Sequence, residues 1–332
     1  MPTQPFWDGA KPQTDAEWVA LGRRVFFDYP LRAEPLAEFA LSHEALAEAC
    51  GVQRDADGHW PGLTRFVDID GRERVGITCA LCHSQVVNGQ TVAGFARRQF
   101  DYGKLRLAYH SETKEPIEPA LGARMAHWGP GRADVTEDVD EDPVAIPDLW
   151  GLKDQSELTQ AGTIQHFGPV ALAIRQETQL LHSNHERVRP PRALAWALTM
   201  YLYSLTPPPS PATAEARGAA LFRQGCAECH SNAAYGGPSV DAGRVGTDLA
   251  LARGAARGTG KYRPPALLRV ADAAPYLHHG AVPTLEDLLD PERLAPGYTR
   301  SPLGAGPVPG HEWGTDWPKE DKAALLAFLR QL

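Results

Sequence analysis

The chain has 332 residues, enough for two domains, and its 43% hydrophobic and 22% charged content is that of an ordinary soluble globular protein. A formal charge of −8 with no dense Lys/Arg cluster argues against nucleic-acid binding and for basic partners. No run of about 20 apolar residues is present, which excludes a membrane-spanning helix.

Thr14-Asp-Ala-Glu17 is a capping box that opens a helix through Trp18, Leu21, Val25 and Phe26, spaced for one apolar face. Residues 35–49 predict a second helix with Leu36, Phe39, Ala40, Leu46 and Ala47 as its stripe. Residues 71–76 read as a turn-rich lead into Cys79, and residues 86–147 as mostly loop. Further helix is expected within 156–182, especially 170–181. Another follows at 192–205, where Pro190 and Pro191 suit a helix start. Pro207-Pro-Pro-Ser-Pro211 stops that helix and marks the domain boundary, dividing the chain into 14–205 and 206–332. Helices are expected at 213–224, 284–289 and 319–332. Strand-like alternation is scarce, so the expected fold class is mainly α, with long Gly/Pro-rich loops and little β. An internal echo relates Leu21-Gly-Arg-Arg-Val-Phe-Phe27 to Arg217-Gly-Ala-Ala-Leu-Phe-Arg223; each precedes a Cys-x-x-Cys-His-Ser site.

Those two sites, Cys79–His83 and Cys226–His230, use four of the five cysteines. In Cys-x-x-Cys-His the two thiols form thioethers to haem vinyl groups and the following His lies under the iron. Cys79, Cys82, Cys226 and Cys229 are therefore attachment residues, and His83 and His230 proximal ligands, of two covalently bound haems c. A pair of Cys-x-x-Cys motifs can also build a four-Cys zinc site, or a redox disulfide. Neither requires His after both motifs, nor Ser84 and Ser231 after both His. The remaining Cys50 reads as a structural thiol. Haem c attachment is an export-side process in bacteria, so a periplasmic or secreted location is expected. The N-terminus shows no signal peptide, and a removed signal is inferred.

The sixth ligand decides whether such a haem carries electrons or activates oxygen or peroxide. Met200 lies on a helix that suits core packing, whereas Met125 stands beside His127 in a loop. His43 and His59 have polar surroundings, and His182 and His185 flank a helix end. His166, between apolar residues, is either a core histidine or a functional one.

The segment from Tyr262 to Leu288, with Pro275-Tyr-Leu-His-His-Gly-Ala-Val-Pro283 at its centre, resembles the C-terminal haem domain of the bacterial di-haem cytochrome c peroxidase superfamily. That superfamily includes the methylamine-dehydrogenase-maturation enzyme and the di-haem rubber oxygenase. Leu21–Asp28 resembles its N-terminal helix. The resemblance implies two cytochrome-c-like haem domains, a small redox-protein donor of cytochrome c or cupredoxin type, and hydrogen peroxide or dioxygen as oxidant. Several positions depart from the pattern. Fourteen residues after His278, where relatives place Met or Tyr as a ligand, stands Glu292. Gly310-His-Glu-Trp-Gly314 instead resembles a motif of the rubber-oxygenase branch, which makes His311 the sixth ligand of the second haem. The displaceable His expected 16 residues after His83 is Gln99. Trp150 and Gln160, ten residues apart, match the family's inter-haem Trp and distal Gln. The distal Glu is replaced by Ala171, leaving Glu177 or His166 as substitutes. The acidic run Glu137–Asp142 resembles the calcium site of some relatives, but it is not an EF-hand and a solvated loop is the favoured reading.

The expectation is an oxidoreductase that activates peroxide at the first haem, with the second haem as electron relay. Dioxygen-dependent oxygenation and plain electron transfer are the alternatives.

Overall fold

The computed structural model describes residues 6–134, 143–210 and 215–332. The acidic run 137–142, with its calcium reading, lies outside the described residues. The fold is mixed rather than mainly α, with 39% helix and 11% strand and no barrel. Its strands are too short to show a period. Leu63–Val67, Glu73–Ile77 and Arg32–Ala33 form a three-stranded antiparallel sheet with Glu73–Ile77 in the middle. The turn-rich lead into Cys79 is thus largely a strand. The other strand pairs span two to four residues, among them Ser84–Val87 with Gln90–Ala93. The stretch expected to be loop also holds the helices Tyr102–Thr113 and Pro119–Met125. Their start signals are Asp101, whose side chain accepts from Lys104 N–H, and Glu118, which caps Ala120 and Leu121.

Two compact units divide the chain, and the division is discontinuous. The first comprises Met1–Gly131, Ile146–Leu149 and Phe167–Leu205; the second Arg132–Ala145, Trp150–His166 and Thr206–Leu332. The last segment of the second unit begins at Thr206, and 132–145 and 150–166 cluster with it. Backbone and side-chain bonds explain this: Ala145 N–H donates to His278 O at 2.8 Å, and Asn232 Nδ2 to Asp154 O at 2.8 Å.

In the first unit the helix Asp15–Asp28, with the expected capping box at Thr14, packs on Arg192–Ser204. The expected helix at 35–49 is broken at His43 into Pro35–Ser42 and Glu44–Ala49. These pieces bury Leu36, Phe39, Ala40 and Ala47 against Cys50, Leu81, Phe100 and Leu105. Cys50 is fully buried there, with its pKa raised by burial, as suits a structural thiol. In the second unit Ala216–Gly225 packs on Lys319–Leu329 around Phe222, Leu325 and Phe328.

The internal echo has a packing cause. A Cβ at Gly22 would lie 1.9 Å from Ala197 O, and one at Gly218 would lie 2.1 Å from Ala324 O. Each glycine lets two helices touch backbone to backbone. The aromatic four residues on, Phe26 or Phe222, is buried beside each crossing.

Candidate functional site

The first Cys-x-x-Cys-His folds as a short helical turn, Ala80–His83, entered from the strand Glu73–Ile77 and left into the strand Ser84–Val87. Ser84 Oγ donates to Ala80 O at 2.6 Å and closes the turn. His83 is half-buried, and its Nδ1–H donates to Pro147 O at 3.1 Å. That bond fixes the tautomer and leaves Nε2 with a free lone pair, as metal-binding histidines require. Burial pushes the His83 pKa down to about 4, with a smaller contribution from Arg98. It also pushes Cys79 up to about 12 and Cys82 up to about 11.

The second motif repeats the arrangement. His230 N–H donates to Cys226 O at 3.0 Å, and its Nδ1–H donates to Tyr235 O at 2.6 Å. The Pro265 carbonyl also reaches the ring, and burial lowers its pKa. Burial raises Cys226 to about 11 and also raises Cys229. None of the four motif cysteines is in a disulfide. Thiols held protonated by apolar burial are poor redox nucleophiles. Among the described residues the one cluster of three or more potential metal-ligand side chains is Asp55, Asp57 and His59, on the surface. The four cysteines are therefore not gathered as a zinc site.

Pro147 and Pro265 were not anticipated. A signal exists: each begins a Pro-x-Leu triplet, Pro147-Asp-Leu149 and Pro265-Ala-Leu267, downstream of its own motif. A backbone carbonyl carries no residue identity, so only the repetition could have exposed it.

His311 stands against His230, ring centroids 6.5 Å apart and planes at 74°. Two collinear metal–imidazole bonds of about 2 Å each, plus the two half-rings, span such a separation. The residue is half-buried, its Nδ1 is shielded from solvent without a hydrogen-bond partner, and desolvation, His230 and Arg293 push its pKa down to about 4. A neutral imidazole with an orphaned, shielded Nδ1, facing a tautomer-fixed one, would suit two residues that hold one metal centre between them.

The loop that presents His311 is built around Arg293, which is wholly buried. Its guanidinium donates to Leu288 O at 3.1 Å, Gly310 O at 2.8 Å, His311 O at 2.9 Å and Val308 O at 2.5 Å. His311 N–H donates to Val245 O at 2.8 Å, and its φ is +49°. Behind this loop Thr247 Oγ1 meets His279 Nε2 at 3.3 Å. His279 Nδ1 accepts from Ala281 N–H at 3.1 Å, so Nε2 carries the proton. His278 stacks on Tyr262, centroids 4.2 Å apart, with Nε2 3.1 Å from the phenol oxygen. The phenol gives its proton to Asp248 O at 2.7 Å, so His278 Nε2–H is the donor in that pair. Burial lowers His278 to about 2 and His279 to about 4, so both are neutral at ordinary pH.

The residues expected to be distal are dispersed. Glu177, in the helix Pro169–Ser183 of the first unit, is bound by Arg189 at 2.8 Å and Arg192 at 3.2 Å. Chiefly the Arg189 hydrogen bond lowers its pKa, so the carboxylate stays ionised and is not poised as a proton donor. His166, Gln160 and Trp150 belong to the unit of His230, not that of His83. His166 is buried with Nδ1–H donating to Gln155 O at 2.6 Å. Gln160 spends Nε2 on Ala145 O at 3.1 Å, and Trp150 is a core side chain. Gln99 is exposed. Met125 is buried at 1% exposure, a packing residue rather than a loop ligand.

Residues 260–298 match a family model described as RoxA-like, cytochrome c-like. With Cys226–His230 in the same unit, the match makes this a cytochrome c-like domain, the setting of a c-type haem. No curated protein matches the chain. A solved structure titled as a MauG-like protein associated with microbial copper homeostasis is similar at 18% identity. It covers 57% of this chain and 75% of that one, with a TM-score of 0.37, too distant to bear on function. No helix among the described residues is long and apolar enough to cross a membrane.

Proposed function

We propose that the chain is a di-haem c-type oxidoreductase that activates hydrogen peroxide at the first motif and relays electrons through the second. The observation that carries this reading is the asymmetry of the two histidines. His230 faces a second half-buried imidazole, His311, at 6.5 Å between ring centroids, whereas the expected partner position of His83 is an exposed Gln99. When bound, haem supplies one-electron chemistry, and peroxide or dioxygen activation where an axial position is open.

The chain's own residues do the rest. Cys79, Cys82, Cys226 and Cys229 anchor the groups, and the carbonyls of Pro147 and Tyr235 hold His83 and His230 with Nε2 unprotonated. His311 closes the second site and Arg293 holds it there. Of the expected proton-moving groups, Glu177 is held ionised by Arg189 and Arg192, which weakens it as a base as well as an acid. The acidic chain suits a basic electron donor of cytochrome c or cupredoxin type, in an extracytoplasmic compartment.

Pyridine haemochrome analysis should return two haems per chain, and the resting ferric EPR spectrum one low-spin and one high-spin haem. Cyanide should bind at rest, and peroxide should shift the Soret band rapidly. One haem, or bound zinc, refutes the reading; two low-spin haems inert to both reagents leave an electron carrier. The RoxA-like match at 260–298 favours oxygenation as the second reading, which dioxygen uptake by the reduced protein would distinguish.

A further inference from the structure

The first motif is backed by a buried positive charge with no buried counter-charge. Arg97 is wholly excluded from solvent. Its backbone N–H donates to Cys82 O at 2.9 Å. Its Nε donates to Ser84 O at 3.0 Å, and one terminal nitrogen reaches Pro61 O at 2.8 Å, Ser84 Oγ at 3.3 Å and Ala80 O at 3.4 Å. The other, Nη1, is buried without a partner. Every acceptor is neutral, and among the described residues no carboxylate pairs with this guanidinium.

Other charges nearby are compensated. Arg98, on the same segment, is paired with Asp148 at 2.7 Å. Beside the second motif Arg244 is paired with Glu228 at 2.7 Å on the surface. Buried Arg293 has Asp290 and Glu312 within electrostatic reach. For Arg97 the corresponding neighbour is Cys82, which carries no charge as a thiol or as a thioether.

A buried ion normally costs several kcal/mol unless paired, so an unpaired one that persists is a candidate for a task. Packing alone would be served by a neutral side chain. We propose that Arg97 is a positioning residue that also raises the reduction potential of the haem held by Cys79, Cys82 and His83. The oxidised iron centre carries one more positive charge than the reduced one. A fixed cation behind the Cys82–Ser84 backbone penalises the oxidised form, and a low-dielectric surround keeps that penalty from being screened.

The inference rests on the haem reading of the first motif, whose failure is reported separately by the haem count of the wild-type protein. The test is a spectroelectrochemical titration of the holoprotein and three variants. Arg97→Gln should shift the first haem toward the oxidised form by roughly tenfold at fixed ambient potential, about 59 mV for one electron, with the second haem unmoved. Arg97→Lys keeps the charge while losing the fan of hydrogen bonds, and should stay near wild type. Ser84→Asp leaves Arg97 in place but gives it a carboxylate, and should reproduce the Gln shift. It decides the matter alone if Arg97→Gln does not hold its haem. An unshifted midpoint in Ser84→Asp, or a Lys variant shifted as far as the Gln variant, overturns the proposal and leaves Arg97 a structural cross-brace.

Discussion

Adding one methyl group at Gly310 should open the second site. Gly310 lies at φ +91°, and a Cβ there would sit 2.4 Å from both N and Cα of Thr247. Non-bonded carbons settle at about 3.5–4.0 Å, so the two backbones must part by roughly 1 Å. The neighbouring bond from His311 N–H to Val245 O, 2.8 Å long, spans the same contact and would break. Holding a non-glycine residue in that conformation costs about 1–3 kcal/mol, and the hydrogen bond about 1 kcal/mol. At about 1.4 kcal/mol per tenfold, the closed arrangement of His311 loses roughly 10²-fold in population. In Gly310→Ala the second haem should therefore gain a high-spin ferric signal at rest, while the haem count and the first haem stay as in wild type. Ferric EPR with the Soret spectrum reads this directly. A fully low-spin variant of unchanged thermal stability would refute the argument that Gly310 seats His311.

His311→Gly should convert the second haem to high-spin and raise its potential, measured by EPR and potentiometric titration; an unchanged low-spin signal moves the ligand elsewhere. Arg293→Met leaves the carbonyls of Gly310 and His311 without their buried donor. Unsatisfied buried groups cost about 1–3 kcal/mol each, so calorimetry should show the second unit melting earlier. Acid should destabilise the protein through His278 and His279, whose folded pKa values lie near 2 and 4, below the ordinary histidine value of 6.5. The unfolded chain binds more protons than the folded one between about pH 6.5 and 4, so stability falls as pH falls through that window. His279→Gln should flatten this slope in urea titrations at several pH values, and an unchanged slope would remove His279 from the account. Cys82→Ala should weaken attachment at the first site alone, visible as haem-stained peptides after proteolysis.

The Cys-x-x-Cys-His motifs are legible in sequence because all their defining residues sit within five consecutive positions, Cys79–His83 and Cys226–His230. Helices with caps and stripes, such as Asp15–Asp28 and Arg192–Ser204, are legible for the same local reason. Strands of two to five residues, such as Glu73–Ile77, are too short for a period of two to register. The buried arginines are illegible for a different cause. A lone Arg reads as surface, and nothing local reveals that Arg97 gathers acceptors from Pro61, Ala80 and Ser84. Glu177 reads as a free carboxylate because Arg189 and Arg192 stand 12 and 15 residues away in sequence. His166 and Gln160 lie in the half assigned to the first domain, yet the chain folds them into the second unit, a crossing that no single-residue signal records.

The carbonyls that hold the two proximal histidines differ in how far they must travel. Tyr235 is five residues from His230, whereas Pro147 is 64 residues from His83. Loop-closure entropy grows as the logarithm of length, and the difference between these separations is worth about 2 kcal/mol. The second motif reaches its hydrogen-bonded geometry through a closure of five residues, whereas the first needs one of 64. Pro147 still precedes Cys226 in the chain, so the first motif has its carbonyl partner before the second motif is made, and the order of synthesis is kept. A chain truncated just before Pro147 should take its haem with His83 still free to swing, presenting a loosely ligated group where the complete protein presents a fixed one.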